Sequence, residues 1–120
     1  MLTHSQERRL RRKREFDAVY AKGRRFGNSV FGVTAQINGK GWPRLGLAVA
    51  VKTAGNAVER NRIRRVIRES FRLHQHEIPA LDLVVSARLR ARGLLSAELR
   101  AQIESLWQEV RMKCASWHSS

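Results

Sequence analysis

The segment Leu45-Gly46-Leu47-Ala48-Val49-Ala50-Val51 alternates a branched aliphatic side chain with a residue that has almost none. A helix would spread both sets around its circumference, whereas a strand sends successive side chains to opposite faces. As a strand it offers Leu45, Leu47, Val49 and Val51 to a core and leaves Gly46, Ala48 and Ala50 on the other side. Residues 26–37, FGNSVFGVTAQI, alternate likewise, with Phe31, Val33, Ala35 and Ile37 on one face and Val30, Gly32, Thr34 and Gln36 on the other. Asn38-Gly39, followed by Lys40, Gly41, Trp42, Pro43 and Arg44, reads as a hairpin loop joining the two strands. An antiparallel pair with both bulky rows on one side leaves the opposite face shallow, floored by Gly32, Thr34, Ala48 and Ala50. That face is a groove unless another element fills it.

Helical periods flank this sheet. From Lys13, Phe16, Val19 and Tyr20 fall at helical spacing, and Gly23 is placed to stop the helix just after Lys22, whose charge suits a helix C-terminus. Asn56, with Glu59 three residues on, caps a second helix running to about Leu73. Leu81–Ala87, LDLVVSA, is a nearly continuous apolar strand, and Leu89–Gly93 is an arginine-bearing loop. A last helix starts at Ser96 and carries Leu99, Ile103, Leu106, Trp107, Val110 and Cys114 as a core-facing stripe. Two or three strands with three helices make an α+β fold. The 120 residues, 42% of them hydrophobic, suit a single domain over 1–120, with a basic arm over about 1–12 and a short polar tail over about 115–120. No apolar run approaches the length of a membrane span, and the basic residues 1–14 lack the apolar stretch and cleavage site of a secretory signal. The lone Cys114 excludes an internal disulfide and an all-cysteine zinc site. These features place the chain in the cytoplasm, off the membrane.

Charge decides what the second helix is for. Lys and Arg number 24 against 10 Asp and Glu, a formal net charge of +14, and such a field draws polyanions. On a helical wheel Ile63, Val66, Ile67, Ser70 and Phe71 gather on one side. Asn61, Arg64, Arg65, Arg68 and Arg72 gather on the other, with Arg60 and Arg62 at the flanks. The arginines of this helix meet only Glu59 and Glu69, so most of its charge has no partner along the helix and one face is built for anions. Residues 8–14, RRLRRKR, set basic side chains around Leu10, a density whose self-repulsion argues for an extended arm that orders against a counter-charge. A DNA recognition helix usually belongs to a mainly helical domain, and a sheet groove suits a single strand better. Phe16 and Tyr20, one turn apart, fit either the core or a surface that stacks on bases. Catalytic constellations are missing by spacing. His74 and His76, beside Glu77, lack a second ligand pair and read as a surface turn. Asp17 and Asp82 read as isolated acids, and no Ser, His and Asp set is suggested. No bond-breaking role is expected of the chain's own side chains.

The run Gly55-Asn56-Ala57-Val58-Glu59-Arg60-Asn61-Arg62-Ile63-Arg64-Arg65, continuing to Arg68-Glu69, resembles the RNR signature of the bacterial ribonuclease P protein subunit. The segments Arg14–Tyr20, Gly23–Phe26, Arg44–Val49 and Asp82–Val85 are similar to that family's first helix, turn and strands, in the same order. The resemblance implies a single compact αβββαβα domain, like domain 2 of ribosomal protein S5, with a left-handed βαβ crossover. It implies an accessory to a catalytic RNA that, with Mg2+ held mainly by the RNA, hydrolyses precursor tRNA to release the 5′ leader. Partners would be the ribonuclease P RNA and precursor tRNA, with no protein partner required and no metal or catalytic side chain on the protein. By position, Arg60, Asn61, Arg62, Arg64, Arg65 and Arg68 would face the catalytic RNA. Phe16 and Tyr20, with Thr34, Ala48, Ala50 and Lys52, would form the cleft for the single-stranded leader. Three departures stand out. Lys52 is followed by Thr53 where the family usually has a second lysine, Ala48 and Ala50 replace small polar residues, and Arg64 replaces a lysine. The rival reading is a general structured-RNA-binding protein, ribosomal or chaperone-like, with no role in tRNA 5′ maturation. A second rival is a protein-only nuclease, which would need clustered carboxylates near the basic face.

Overall fold

The structure, a computed structural model, describes residues 8–114, so residues 1–7 of the expected arm and the 115–120 tail lie outside the described residues. The first helix, α1 (Lys13–Lys22), begins where the Glu15 carboxylate accepts the Arg11 and Arg12 backbone N–H groups, both at 3.0 Å. It ends at Gly23, as the sequence suggests, but for a different reason. Gly23 is extended (φ −79°, ψ 161°) rather than left-handed, and a Cβ there would lie 2.6 Å from the Val19 carbonyl oxygen and 2.7 Å from Thr34 Cγ2. Close approach of helix and sheet, not a special backbone angle, requires the glycine.

Four strands follow, β1 (Arg24–Gly27), β2 (Phe31–Ile37), β3 (Arg44–Ala48) and β4 (Leu81–Ala87), in the sheet order β1-β2-β4-β3. Three sequence expectations are corrected. The single strand over 26–37 is two strands, because Asn28 Oδ1 accepts from the N–H groups of Val30 (2.9 Å) and Phe31 (2.8 Å) and folds a tight turn. The 38–44 hairpin does not form either. Strand β4 lies between β2 and β3, antiparallel to the first and parallel to the second, as its apolar run requires burial on both faces. The alternating strand from Leu45 stops at Ala48. Val51–Ala54 is a single helical turn, α2, and Val51 is 60% exposed rather than in the core.

Helices α3 (Ala57–His74) and α4 (Ser96–Cys114) cover one face of the sheet. Between them and the strands lie Phe31, Val33, Ile63, Ile67, Phe71, Leu83, Leu99, Ile103 and Leu106. Both predicted apolar stripes are buried as read. The polar Ser70 belongs there because its hydroxyl accepts the Trp107 indole N–H at 2.9 Å, which satisfies both groups in the core. With short α2 set aside, the order is αβββαβα, and β3 and β4 are parallel neighbours joined through α3.

On the opposite face α1 occupies part of the expected groove. Val19, Val84 and Leu10 are buried there, with Phe16 and Ala48 packed against them. Gly46 makes room, since a Cβ at that position would lie 2.8 Å from Phe16 Cζ and 2.9 Å from Leu10 Cβ. The described part of the arm is docked rather than free. Arg9 bridges to Leu45, the Leu10 N–H donates to the Leu45 carbonyl at 2.9 Å, and Arg8 lies 5.9 Å over the Trp42 ring. Leu10, the apolar residue among the arginines, is only 4% exposed and anchors the segment. Nor is Asp82 isolated. Parallel register sets it opposite Arg44, which reaches it through Nε (2.8 Å) and Nη2 (2.7 Å), while Asn38 Nδ2 donates at 2.9 Å.

Candidate nucleic-acid interface

Asn56 Oδ1 accepts the Glu59 N–H at 3.0 Å, so α3 starts where the cap motif places it, and its arginines take the predicted orientation. Arg60, Arg64, Arg65, Arg68 and Arg72 have no carboxylate partner among the described residues. Arg60 Nε is buried with no hydrogen-bond partner. Burial, with Arg9 and Arg64 beside it, pulls the Arg68 guanidinium below its ordinary value, though it stays charged at neutral pH. Arg9, Arg11, Arg64 and Arg68 line one pocket of about 300 Å³ floored by Leu45, Leu47 and Phe16. The docked arm therefore extends the basic face of α3. Asn61 is exposed on that face. Arg62 stands apart. Its Nε and Nη2 bond Glu59 (3.0 and 2.7 Å) and its Nη1 bonds Ser96 Oγ (3.2 Å), so its donors are committed within the protein.

The cleft set is divided. Register aligns Gly27, Gly32, Ser86 and Ala48 in one row across all four strands, and Arg25, Thr34, Val84 and Gly46 in the next. Helix α1 lies over the second row. Of the first row, Gly32 and Ser86 stay open beside Tyr20, in a pocket of about 230 Å³ that also receives Arg25, Thr34 and Arg88. Tyr20 is 39% exposed and Thr34 is 7% exposed. Burial pushes the Tyr20 phenol above its usual value, with Arg25 opposing. Phe16 and Ala48 are half-buried under α1, while Ala50 and Lys52 are exposed beyond the end of β3. Of the two rings, Phe16 packs and Tyr20 faces the open cleft.

Sequence reasoning missed Arg25, Ser86 and Arg88. The Arg88 guanidinium lies over the open row, since Cβ atoms at Gly27 and Gly32 would sit 2.7 and 3.3 Å from its Nη2. Continuing the two-residue period of β4 from Val84 through Ser86 to Arg88 puts them on one face, a signal that was available. Arg25 was hidden by the unrecognised β1. His74 and His76 lie beside surface carboxylates, His74 Nε2 3.3 Å from Glu104 and His76 Nε2 3.7 Å from Glu77. No group of three or more His, Cys, Asp or Glu side chains among the described residues could hold a metal ion. No helix among them is long and apolar enough to cross a membrane.

A one-sided arginine helix and a small-floored sheet cleft on an αβββαβα frame are the combination that the RNR run implies. The profile of the Ribonuclease P family matches residues 5–111. The chain belongs to the ribonuclease P protein family. The ribonuclease P protein component of Salmonella paratyphi A is 42% identical over 107 residues, covering 89% of this chain and 90% of the relative. An Escherichia coli counterpart is 41% identical over the same extent. The Staphylococcus aureus RNase P protein superposes with a TM-score of 0.81 at 34% identity, over 85% of this chain and 94% of that one. The RNase P protein of Thermotoga maritima gives 0.77 at 31% identity, over 85% and 96%. The ribonuclease P protein fold is thus the fold observed here, and membership carries the subunit role in tRNA processing. No observation favours the general RNA-binding alternative.

Proposed function

We propose that this ribonuclease P protein acts through two surfaces, an arginine face for the catalytic RNA and a sheet cleft for the 5′ leader of precursor tRNA, in the cytoplasm. The observation that carries the reading is the set of α3 arginines other than Arg62 that have no carboxylate partner among the described residues while the frame around them is ion-paired. Unpaired guanidinium groups one turn apart offer forked donors to successive phosphates. Arg60, Asn61, Arg64, Arg65 and Arg68, with Arg9 and Arg11 from the docked arm, would hold the structured RNA. Arg62 supports this face from within. Tyr20 would stack on a leader base above the open small-residue row, with Thr34, Ala48, Ala50 and Lys52 bordering its path and Phe16 buttressing α1. Phosphodiester hydrolysis is assigned to the RNA and its magnesium ions. The protein's part is to bind, orient and neutralise charge.

The test is cleavage of a precursor tRNA at low magnesium by a bacterial ribonuclease P RNA, with and without this chain. Rescue at the mature 5′ end, with no cleavage by the protein alone, supports the reading. Tight RNA binding without rescue by a cognate RNA would assign the chain to general RNA binding instead, and magnesium-dependent cleavage by the protein alone would revive the nuclease.

A further inference from the structure

Beyond β4 the chain makes an arginine-bearing 3₁₀ turn at Leu89–Ala91 and reaches Gly93, whose φ of +85° needs glycine. The Gly93 N–H donates to Glu59 Oε2 at 2.9 Å. The same carboxylate accepts two donors from Arg62, which also grips Ser96 at the start of α4. From the other side Arg92 Nη2 donates to the Lys52 carbonyl at 3.2 Å. Gly55 (φ +95°) lies against Arg92, and a Cβ there would sit 3.3 Å from Arg92 Nε. Both carboxylate oxygens of Glu59 are thus fixed by bonds from two separate stretches of chain. A carboxylate serving only to soften a basic field would not need the backbone bond to Gly93.

We propose that Glu59 is a positioning residue, clamping the 89–93 turn to the arginine helix so that Lys52 at the end of the cleft, held through Arg92, keeps a fixed place relative to α3, while Arg88 is held to the sheet by its own bonds to the Val30 and Phe31 carbonyls. The inference rests on the leader reading given above. It assigns Arg62 to the clamp and makes Glu59 the joint between the two RNA surfaces. Bulk electrostatics and positioning predict opposite signs here. Removing an acid makes the protein more positive, which alone tightens RNA binding, whereas releasing the loop weakens the hold on the leader.

The experiment uses holoenzyme reconstituted with wild-type, Glu59→Ala and Glu59→Gln protein, and precursor tRNAs with a long leader and with a single-nucleotide leader. Glu59→Ala is expected to raise KM for the long leader about five-fold, within the range of such couplings, with kcat and the short-leader KM unchanged. Glu59→Gln keeps an acceptor for the Gly93 N–H and restores most of the loss. In the free full-length protein, the Gly93 amide proton resonance moves in Glu59→Ala and largely holds in Glu59→Gln. A KM that falls, one that changes equally for both leaders, or an unmoved Gly93 resonance would overturn the clamp. Should Glu59→Ala unfold, Glu59→Asp, which keeps the charge but shortens the reach to the Gly93 N–H, takes its place, and an unmoved Gly93 resonance or an unchanged long-leader KM in it overturns the clamp. Wild-type holoenzyme without any leader-length effect would overturn the leader reading, leaving the Gly93 resonance to judge the clamp.

Discussion

Arg62 sits in the same RNR run as Arg60 and Arg64, yet its side chain is only 26% exposed and bonded to Glu59, while the others lack acidic partners among the described residues. This difference has a measurable consequence. If Arg60, Arg64, Arg65 and Arg68, with Arg9 and Arg11, each engage a phosphate, the slope of log K against log salt is about −4 to −5.5, so doubling the salt weakens binding roughly 30-fold. Replacing Arg64 or Arg65 with Gln should shallow the slope by about 0.7 to 0.9 each and leave the melting temperature unchanged. Arg62→Gln should leave the slope unchanged and lower stability by about 1 to 2 kcal/mol, because it strips two charge-assisted bonds from Glu59 and one from Ser96. The assay is filter or fluorescence binding to the ribonuclease P RNA across a KCl series at fixed magnesium, with thermal melts of each free protein. An Arg62→Gln slope that shallows as much as that of Arg65→Gln would refute the division between committed and available arginines.

Three further outcomes follow from the geometry. Tyr20→Ala should raise KM for precursor tRNA with little change in stability, whereas Phe16→Ala, which empties the space over Gly46, should cost about 2 kcal/mol in chemical denaturation; equal effects on both would remove the distinction between packing and stacking rings. Asp82→Asn should destabilise by about 2 kcal/mol, since it takes from a largely buried Arg44 its nearer carboxylate and leaves only Glu15 at 3.6 Å, and a melting temperature within error of wild type would contradict that. Glu15 is held below the usual carboxylate range by the Arg12 and Arg11 backbone N–H groups, and Glu59 by Arg62 and the Gly93 N–H. Both therefore stabilise the fold above the ordinary carboxylate value and lose that contribution as pH falls through their lowered folded values. Urea unfolding should show stability declining below about pH 4.5, with Glu59→Gln removing part of the decline.

Elements whose signal lies within one stretch of chain were legible. Helix α3 with its Asn56 cap, strand β4 and helix α4 carry their own period and their own boundaries. Strand order was not legible, because it depends on which distant segment buries both its faces, and LDLVVSA makes that demand from the far side of α3. The break between β1 and β2 was carried by one Asn28 side chain inside an otherwise continuous alternation. Asp82 gave no local sign of its partner, since Arg44 becomes its neighbour only through parallel register. The cleft followed the same rule. Gly32, Thr34 and Ala48 could be named from β2 and β3 separately, whereas Ala50 falls beyond the end of β3, and Ser86 and Arg88 entered only once β4 was known to lie between the two strands.

Where the acids went explains why the arginine face could be read at all. Glu15 caps α1 and lies 3.6 Å from Arg44, Asp82 fixes Arg44, Glu59 fixes Arg62 and Gly93, and Glu98 accepts the Leu95 N–H at the start of α4. These carboxylates cap helices or hold one segment of the frame to another, so they cannot also neutralise the outer face of α3. The imbalance of a +14 chain is therefore not spread evenly but concentrated on the described arm and helix that meet at Arg9, Arg64 and Arg68. Repulsion there works against the compact state and is relieved by a bound polyanion. On the proposed reading fold and binding draw on separate residues, so outer arginines can be changed one at a time to read binding while Arg44, Arg62 and their acids keep the frame that presents them.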